Sequence, residues 1–289
     1  MELRQLEYFV AVAEEANFTR AAERVHISQS GVSAQIRQLE RELGAELIDR
    51  TGRAATLTAA GDAALEHARA ALASADATRR AVDEVTGMVR GRLDVGMVTA
   101  CTLSPFFDAT AAFHRSHPGI ELSLTEGNST DLLDDVRRGS LDTALVGVAE
   151  RTPPDLASLT VFSERIVAAV PPGHPLLAVP SPTLIDVCAH PIVCLPFGTG
   201  VRTVFEKACA AEALTARVTL QASAPAAVAD LAARGLGVAV LSETIATDYT
   251  DTLVAIALDV GIASLLALVW RPAVSPALGR FVEHCRAAF

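Results

Sequence analysis

Two short helical patterns separated only by Val25-His26-Ile27-Ser28 limit the folds open to this chain more than any other feature. They lie in "TRAAERVHISQSGVSAQIRQLE", from Thr19 to Glu40. Asn17 or Thr19 can cap the first helix, in which Ala21, Ala22 and Val25 face inward and the small alanines permit close approach. Ser28 can cap the second, where Val32, Ile36, Leu39 and Leu43 recur at helical spacing and point into a core, and Gly44 is a fitting stop. That phase leaves Gln29, Ser30, Ser33 and Arg37 facing outward. Two such helices across a tight turn suit a helix-turn-helix, whose second helix enters a DNA groove. Ordinary helix packing with capped ends and a solvated face suits the same residues, so the pattern alone leaves both readings open.

The flanks extend the pattern. Leu3, Leu6, Phe9, Val10 and Ala13 form one apolar helical stripe ahead of it. After it, "ELIDRTGRAATLT" reads as a short hairpin or wing turning at Thr51-Gly52. From Thr58 to about Gly87 there is no proline, and a helix of that length would run roughly 45 Å. Leu65, Ala68, Leu72, Ala75 and Val82 fall on a heptad seam that Arg79 interrupts. This predicts a dimerising linker helix, with a helix packed on its own chain as the alternative.

Beyond Gly91 strands alternate with helices. "RLDVGMV", "IELSLTE" and "LDTALVG" bracket helices from Pro105 to about His117 and from Thr130 to Arg138. "HPIVCL", "ARVTLQ" and "LGVAVL" then bracket helices from Val201 to Ala213 and from Ala224 to Arg234. Two α/β lobes are implied. "LTVFSERIVAAVPPG" is long for one strand and is expected to cross between the lobes, "SLLALVW" to cross back, and the helix near Leu278 to Phe289 to pack on the first lobe. A length of 289 residues suits two or three such units.

Charge and composition exclude several classes. A net charge of -10 argues against a protein that coats nucleic acid or anionic membrane without selectivity. From Met1 to Thr58 there are seven Arg, no Lys and nine acidic residues, so a DNA-reading face there must come from placement. Arg20, Arg24, Arg37, Arg50 and Arg53 lie in or beside the paired helices and the following loop, while acids gather at Glu14, Glu15, Glu40, Glu42 and Glu46. No apolar run reaches the roughly 18 residues of a membrane span, and the N-terminus lacks an export signal, so a cytoplasmic protein without membrane partners is expected. Cys101, Cys188, Cys194, Cys209 and Cys285 are scattered and never spaced C-x-x-C, which fits reduced thiols packed in cores, with no metal site. No Walker loop, G-x-S-x-G elbow or H-E-x-x-H occurs, and Gly235-x-Gly237 follows a helix and precedes a strand, the reverse of a dinucleotide loop. Neither an enzyme nor a cofactor is expected.

The run from "LRQLEYFVAVAEEANFTRAAERVHISQSGVSAQIRQLERELGAELIDRTGR" to "LTAAG" resembles the N-terminal winged helix-turn-helix of LysR-type transcriptional regulators. "GRLDVGM", "FHRSHPGIELSLTEGNSTDLLDDVRRGSLDTALVG", "PPGHPL" and "AARGLGVAVLS" resemble that family's effector domain. The resemblance covers essentially the whole chain. It implies an all-α-dominated winged helix-turn-helix over residues 1–58, a linker helix over 59–88, and a two-lobed α/β body over 89–289 similar to periplasmic binding proteins. Lobe I would span about 89–163 and 266–289, and lobe II about 164–265. It also implies a homodimer or homotetramer on double-stranded promoter DNA, RNA polymerase as a further partner, and a small-molecule effector. The alternative function is an oligomeric small-molecule binder without sequence-specific DNA binding.

The DNA-binding set expected on this basis is Arg20, Gln29, Ser30, Ser33, Gln35, Arg37, Arg50 and Arg53. Gln29 can pair bidentately with adenine, while Arg37, Arg50 and Arg53 suit phosphates. Family members usually carry Pro in place of Ser30 and often Arg in place of Ala34, so one groove-facing cation is missing here. For the effector, loops at strand ends supply Thr99, Ala100, Cys101 and Thr102, then Asn128 and Ser129, then Phe197, Gly198, Thr199 and Arg202. By resemblance Gly147 joins them at the end of a third strand. An anionic effector fits these hydroxyl and amide donors, with Arg202 as the candidate cation. Plain helix capping by Ser129, Ser104 and Thr199 is the competing explanation.

Overall fold

The computed structural model describes residues 1–52, 54–85 and 91–289, without the side chains of residues 76, 77 and 79–85. Backbone packing separates an N-terminal unit from an α/β unit.

The N-terminal unit comprises α1 (Leu3–Glu15), α2 (Phe18–Arg24), α3 (Gln29–Leu43), β1 (Ile48–Asp49), β2 (Thr56–Leu57) and α4 (Ala59–Val85). Asn17, not Thr19, caps α2, its Oδ1 accepting from Thr19 N at 2.8 Å and Arg20 N at 3.2 Å. Ser28 Oγ accepts from Gly31 N at 3.1 Å and opens α3, which Gly44 ends at φ 72°. The turn between α2 and α3 bends at His26, held at φ 56°. Phe9, Val12, Ala21, Val32, Ile36 and Leu39 are fully buried together.

Two expectations for α3 fail on its last turns. Leu43 is 46% exposed, because the helix runs past the core floor and Glu40 takes the buried place on that turn. Glu40, grouped by sequence with the surface acids, accepts from Leu47 N at 3.0 Å and Ile48 N at 3.2 Å through Oε1, and from Arg50 at 2.6 Å through Oε2. A buried carboxylate persists only where such partners replace water. Glu40 thus ties α3 to the wing, whose strands pair Ile48 with Leu57 and Asp49 with Thr56.

The wing in turn seats α4. Thr58 Oγ1 donates to Glu46 O at 2.6 Å and accepts from Gly61 N at 3.0 Å. A Cβ at Gly61 would lie 2.1 Å from the Leu47 carbonyl oxygen, so only glycine fits. Ala68 is buried in the N-terminal core, with Leu65 and Leu72 packed against it. Arg69 donates to Glu14 at 2.7 Å. Burial opposes ionisation of Glu14, but Arg69 and Arg24 outweigh it and hold the carboxyl below its ordinary range. The first part of the heptad seam is therefore spent within the chain. The side chains of Arg79 and Val82 lie outside the described residues.

The α/β unit runs β3 (Gly91–Val98), α5 (Ser104–Ser116), β4 (Ile120–Gly127), α6 (Ser129–Arg138), β5 (Thr143–Ala149) and β6 (Ala157–Glu164). β7 (Ile166–Val170), α7 (Leu184–Cys188), β8 (Ile192–Cys194), α8 (Gly200–Ala211), β9 (Val218–Gln221), α9 (Pro225–Ala233), β10 (Val238–Ser242), α10 (Glu243–Thr247) and β11 (Val254–Ala257) follow, then β12 (Ser264–Trp270) and α11 (Pro276–Ala288). They form two five-stranded sheets, ordered β4-β3-β5-β12-β6 and β11-β7-β10-β8-β9. Only Arg165 separates β6 from β7, so that long apolar segment does pass between sheets. "SLLALVW" does not: it pairs along its whole length with β5 and β6, from Ser264 opposite Ala149 to Trp270 opposite Thr143, and the return crossing precedes it. α11 packs on α5, with Phe281 edge-on to Phe106 at 6.3 Å and to Phe113 at 5.4 Å.

The parallel pairing of β3 with β4 and β5 aligns their carboxyl ends. β12 runs antiparallel to both β5 and β6, which makes β6 parallel to β5 and brings the end of β6 to the same edge. Ligands in open α/β sheets collect at such edges.

Candidate DNA interface and effector cavity

Gln29, Ser30, Ala34, Arg37 and Arg41 are exposed on α3, and Ser33 is half-buried at the margin of their face. Their spacing follows the helical repeat, opposite the stripe of Val32, Ile36 and Leu39. Ser28 and Ser30 hydroxyls lie 3.2 Å apart, so capping and display share one turn. Arg37, Arg41 and Arg50 line a shallow groove with Ala34, Glu40 and Glu46. Arg41 escaped the sequence reading, although it lies one helical turn beyond Arg37 and its Nε donates to the Arg37 carbonyl at 3.3 Å.

Other expected DNA contacts are already engaged. Gln35 is half-buried on the core side of α3 and accepts from Gln5 at 3.5 Å, which removes it from the exposed face. Arg50 is committed to Glu40 and lies 5.5 Å from the Phe18 ring centre, so its first task is to hold the wing. Arg20 pairs with Glu15 at 3.4 Å but stays largely exposed. Arg53 lies outside the described residues. Within this face, Arg37 and Arg41 make no ion pair among the described residues.

In the α/β unit a cavity of about 510 Å³ opens along the shared strand edge and between the two sheets' loops. Thr99, Ala100, Cys101, Thr102, Asn128, Ser129, Gly147 and Thr199 line it, as the sequence reading places them. Ala100 adopts φ 57°, a left-handed conformation uncommon outside glycine, at the loop that faces the cavity. Burial raises the Cys101 thiol above its ordinary range, with Glu126 adding to the effect, so it lines the cavity as a neutral group.

Phe197, Gly198 and Arg202 do not line the cavity. Arg202 is 4% exposed and points along α8, donating to Glu206 at 2.7 Å and to the Cys194 sulfur. Phe197 covers its guanidinium at 4.3 Å. The carboxylate of Glu206, four residues on, holds the charge that sequence reasoning assigned to an anionic ligand. Gly198, at φ 85°, accepts from Thr130 N at 3.1 Å and so fastens the turn before α8 to the start of α6.

Helix capping explains less of this cavity than expected. Asn128 does cap α6, accepting from Asp131 N at 3.0 Å. Ser129 instead accepts from Gly147 N at 2.9 Å, and Thr199 donates to the Pro196 carbonyl at 2.9 Å. The N-caps of α5, α8 and α9 make no side-chain cap hydrogen bond. Pro105 and Pro225 have no N–H, and Phe106 N and Ala227 N already donate to the Leu103 and Ala224 carbonyls, so it is the first turn of α8, at Gly200 and Val201, that offers consecutive free N–H groups to the cavity. Gly147 and Gly200 meet so closely that a Cβ on Gly200 would lie 2.6 Å from the Gly147 carbonyl carbon, which brings the start of α8 onto the end of β5. The cavity also collects Glu164, Ser242, Asp248 and Ser264, which the sequence did not single out. Only the register across β5, β12 and β6 places Glu164 and Ser264 there.

Comparison with known proteins agrees with both halves. Residues 3–62 match the bacterial regulatory helix-turn-helix protein, lysR family, and residues 86–289 match the LysR substrate binding domain. The chain is 34% identical over 243 residues to the HTH-type transcriptional regulator ShiR of Corynebacterium glutamicum, covering 83% of this chain and 82% of that one. It is 32% identical over 250 residues to the transcriptional dual regulator GltC of Bacillus subtilis, covering 86% and 83%. A full-length OxyR variant from Pseudomonas aeruginosa superposes with a TM-score of 0.71 at 26% identity, covering 100% of this chain and 94% of that one. No described helix is long and apolar enough to cross a membrane. The matches span both the helix-turn-helix and the two-sheet body with its cavity, and the chain belongs to the LysR family of transcriptional regulators.

Proposed function

We propose that this regulator reads operator DNA through the exposed face of α3 and changes its DNA-bound arrangement when a small effector fills the cavity of the α/β unit. The observation that carries the first part is the outward stripe of Gln29, Ser30, Arg37 and Arg41, with Ser33 at its margin, whose arginines make no ion pair among the described residues, on a helix anchored through its opposite face. Gln29 and Ser30 sit at the helix start, the end from which such helices reach base edges, and Gln29 has the bidentate amide that suits adenine. Arg37 and Arg41 supply phosphate contacts, which fix position without reading sequence. Arg20 and Ser33 sit at the margins, and Arg53 remains a candidate for the wing's phosphate contact.

Effector binding is supported by the cavity's size, its apolar lining and the uncapped start of α8. An acidic group fits the N–H donors there without a cationic side chain. The effector acts by binding two arrangements of the oligomer with different affinity, since equal affinity shifts nothing. We take the working unit to be a homodimer or homotetramer in the cytoplasm, without catalysis of its own.

The test is fluorescence anisotropy of the full chain on labelled DNA from upstream of its own gene, against scrambled competitor, over a salt series. Saturable binding that survives competitor and weakens log-linearly with salt supports the reading. Failure on that DNA, followed by failure of a genome-wide fragment selection, would remove DNA reading and leave a small-molecule binder.

A further inference from the structure

The cavity's charge pattern narrows what it can hold, given that it is the effector site. Among the described residues no Lys or Arg lines it, whereas Glu164 and Asp248 do. Glu164 closes β6 and accepts from Thr244 N at 2.8 Å through Oε2. Its Oε1 has no partner among the described residues. Ser264 lies directly beside it in the sheet, paired with Glu164 on one side and Ala149 on the other. Ser264 is 6% exposed and lines the cavity, yet its hydroxyl makes no hydrogen bond among the described residues. A buried hydroxyl without a partner is costly unless something fills its place.

The opposite end of the cavity has the reverse character. There the start of α8 rests on Gly147, and the loop from Thr99 to Leu103 precedes α5. One strand spacing separates β5 from β12 and two separate it from β6, so Ser264 lies about 5 Å and Glu164 about 10 Å across the sheet from the end of β5. Leu103, Phe162, Ile245 and Leu266 contribute apolar surface to the same cavity.

We infer that Glu164 and Ser264 form a specificity element that takes a hydrogen-bond donor, ammonium or hydroxyl, at the far end of a small carboxylate effector. A second carboxylate at that end would face Glu164 with no cation to offset it, and is rejected. A charged donor to Glu164 Oε1 would also use the idle Ser264 hydroxyl as acceptor. This makes the effector class an amino or hydroxy acid with an apolar spacer, not a diacid.

Four probes of one skeleton test this by isothermal calorimetry on the full chain: caproate, ε-hydroxycaproate, ε-aminocaproate and adipate. The amino or the hydroxy probe is expected to bind about tenfold or more tighter than caproate, with adipate weakest. Glu164→Gln should shrink the preference for aminocaproate over adipate by about tenfold or more, since the amide keeps an acceptor for Thr244 N but loses the charge. Ser264→Ala, a smaller change, should weaken the donor-bearing probes alone and serves if Glu164→Gln fails to fold. Adipate binding as well as aminocaproate, a preference unmoved by both variants, or no binding by any probe would overturn the inference. Ala226→Trp narrows the cavity from α9 and separates the two levels of failure. Binding that survives it would lie elsewhere and remove the effector-cavity reading too, whereas binding that it abolishes while Glu164 proves irrelevant would remove only the donor rule.

Discussion

Replacing Glu40 should loosen the DNA-binding unit while leaving the α/β unit intact. In Glu40→Ala, Leu47 N and Ile48 N both lose their acceptor in a buried setting, and Arg50 loses its partner. Each orphaned buried donor costs about 1–3 kcal/mol. Arg50 is one-third exposed, so water recovers much of its loss and it adds less than about 1 kcal/mol. The sum, about 2–7 kcal/mol, is a large part of a small unit's stability. Glu40→Gln keeps an acceptor for the two amides and should cost about 1–2 kcal/mol. The chain has one tryptophan, Trp270, buried in β12, so its fluorescence follows the α/β unit, whereas far-UV circular dichroism follows helices in both. Urea titration of the full chain should show an early ellipticity transition that moves to lower urea in the order wild type, Gln, Ala, with the Trp270 transition fixed. Equal shifts of both signals, or an unmoved ellipticity transition in Glu40→Ala, would refute the assignment of Glu40 as the tie between α3 and the wing.

Arg37→Ala should weaken binding to operator and random DNA alike and reduce the slope of log affinity against log salt by about one, measured by anisotropy. Cys188 and Cys209 sulfurs lie 3.7 Å apart, but burial raises the Cys188 thiol and pushes Cys209 up to about 12. At neutral pH roughly one Cys209 in 10⁵ is then thiolate, so brief exposure to dilute hydrogen peroxide should leave both thiols reduced; a Cys188–Cys209 disulfide in the peptide map would contradict this. Burial and the neighbouring His190 lower the His174 pKa, and its Nδ1 accepts from Leu176 N at 3.2 Å. The folded state therefore binds fewer protons than the unfolded one, and stability present above about pH 6.5 is lost as pH falls through the folded value. The thermal midpoint should drop on acidification, and His174→Asn, which keeps an acceptor for Leu176 N, should flatten that drop; an unchanged slope would count against His174 as the titrating group.

What the sequence made legible was mostly local. Ser28, Gly44 and the Val32, Ile36 and Leu39 stripe act within one helix, so spacing sufficed to place α3 and its outward face. The strand-helix alternation likewise identified the paired lobes, because each unit's apolar period is contained in a few residues. Side chains that act across the chain were misread. Glu40 looks like any surface acid until the wing folds beneath it, and Arg202 looks like a ligand cation until Glu206 one turn later claims it. That second error had a visible signal, an Arg and a Glu at helical spacing. Glu164 and Ser264 had none, since their adjacency exists only once β12 pairs with β6.

Base reading by α3 depends most on Gln29. Selection from random DNA by the wild type and by Gln29→Ala, followed by sequencing of the bound pools, tests it directly. One recurring motif is expected for both proteins, with preference relaxed at one or two base pairs in the variant and retained elsewhere. An identical motif from both proteins, or a uniform loss of preference across every position, would contradict it.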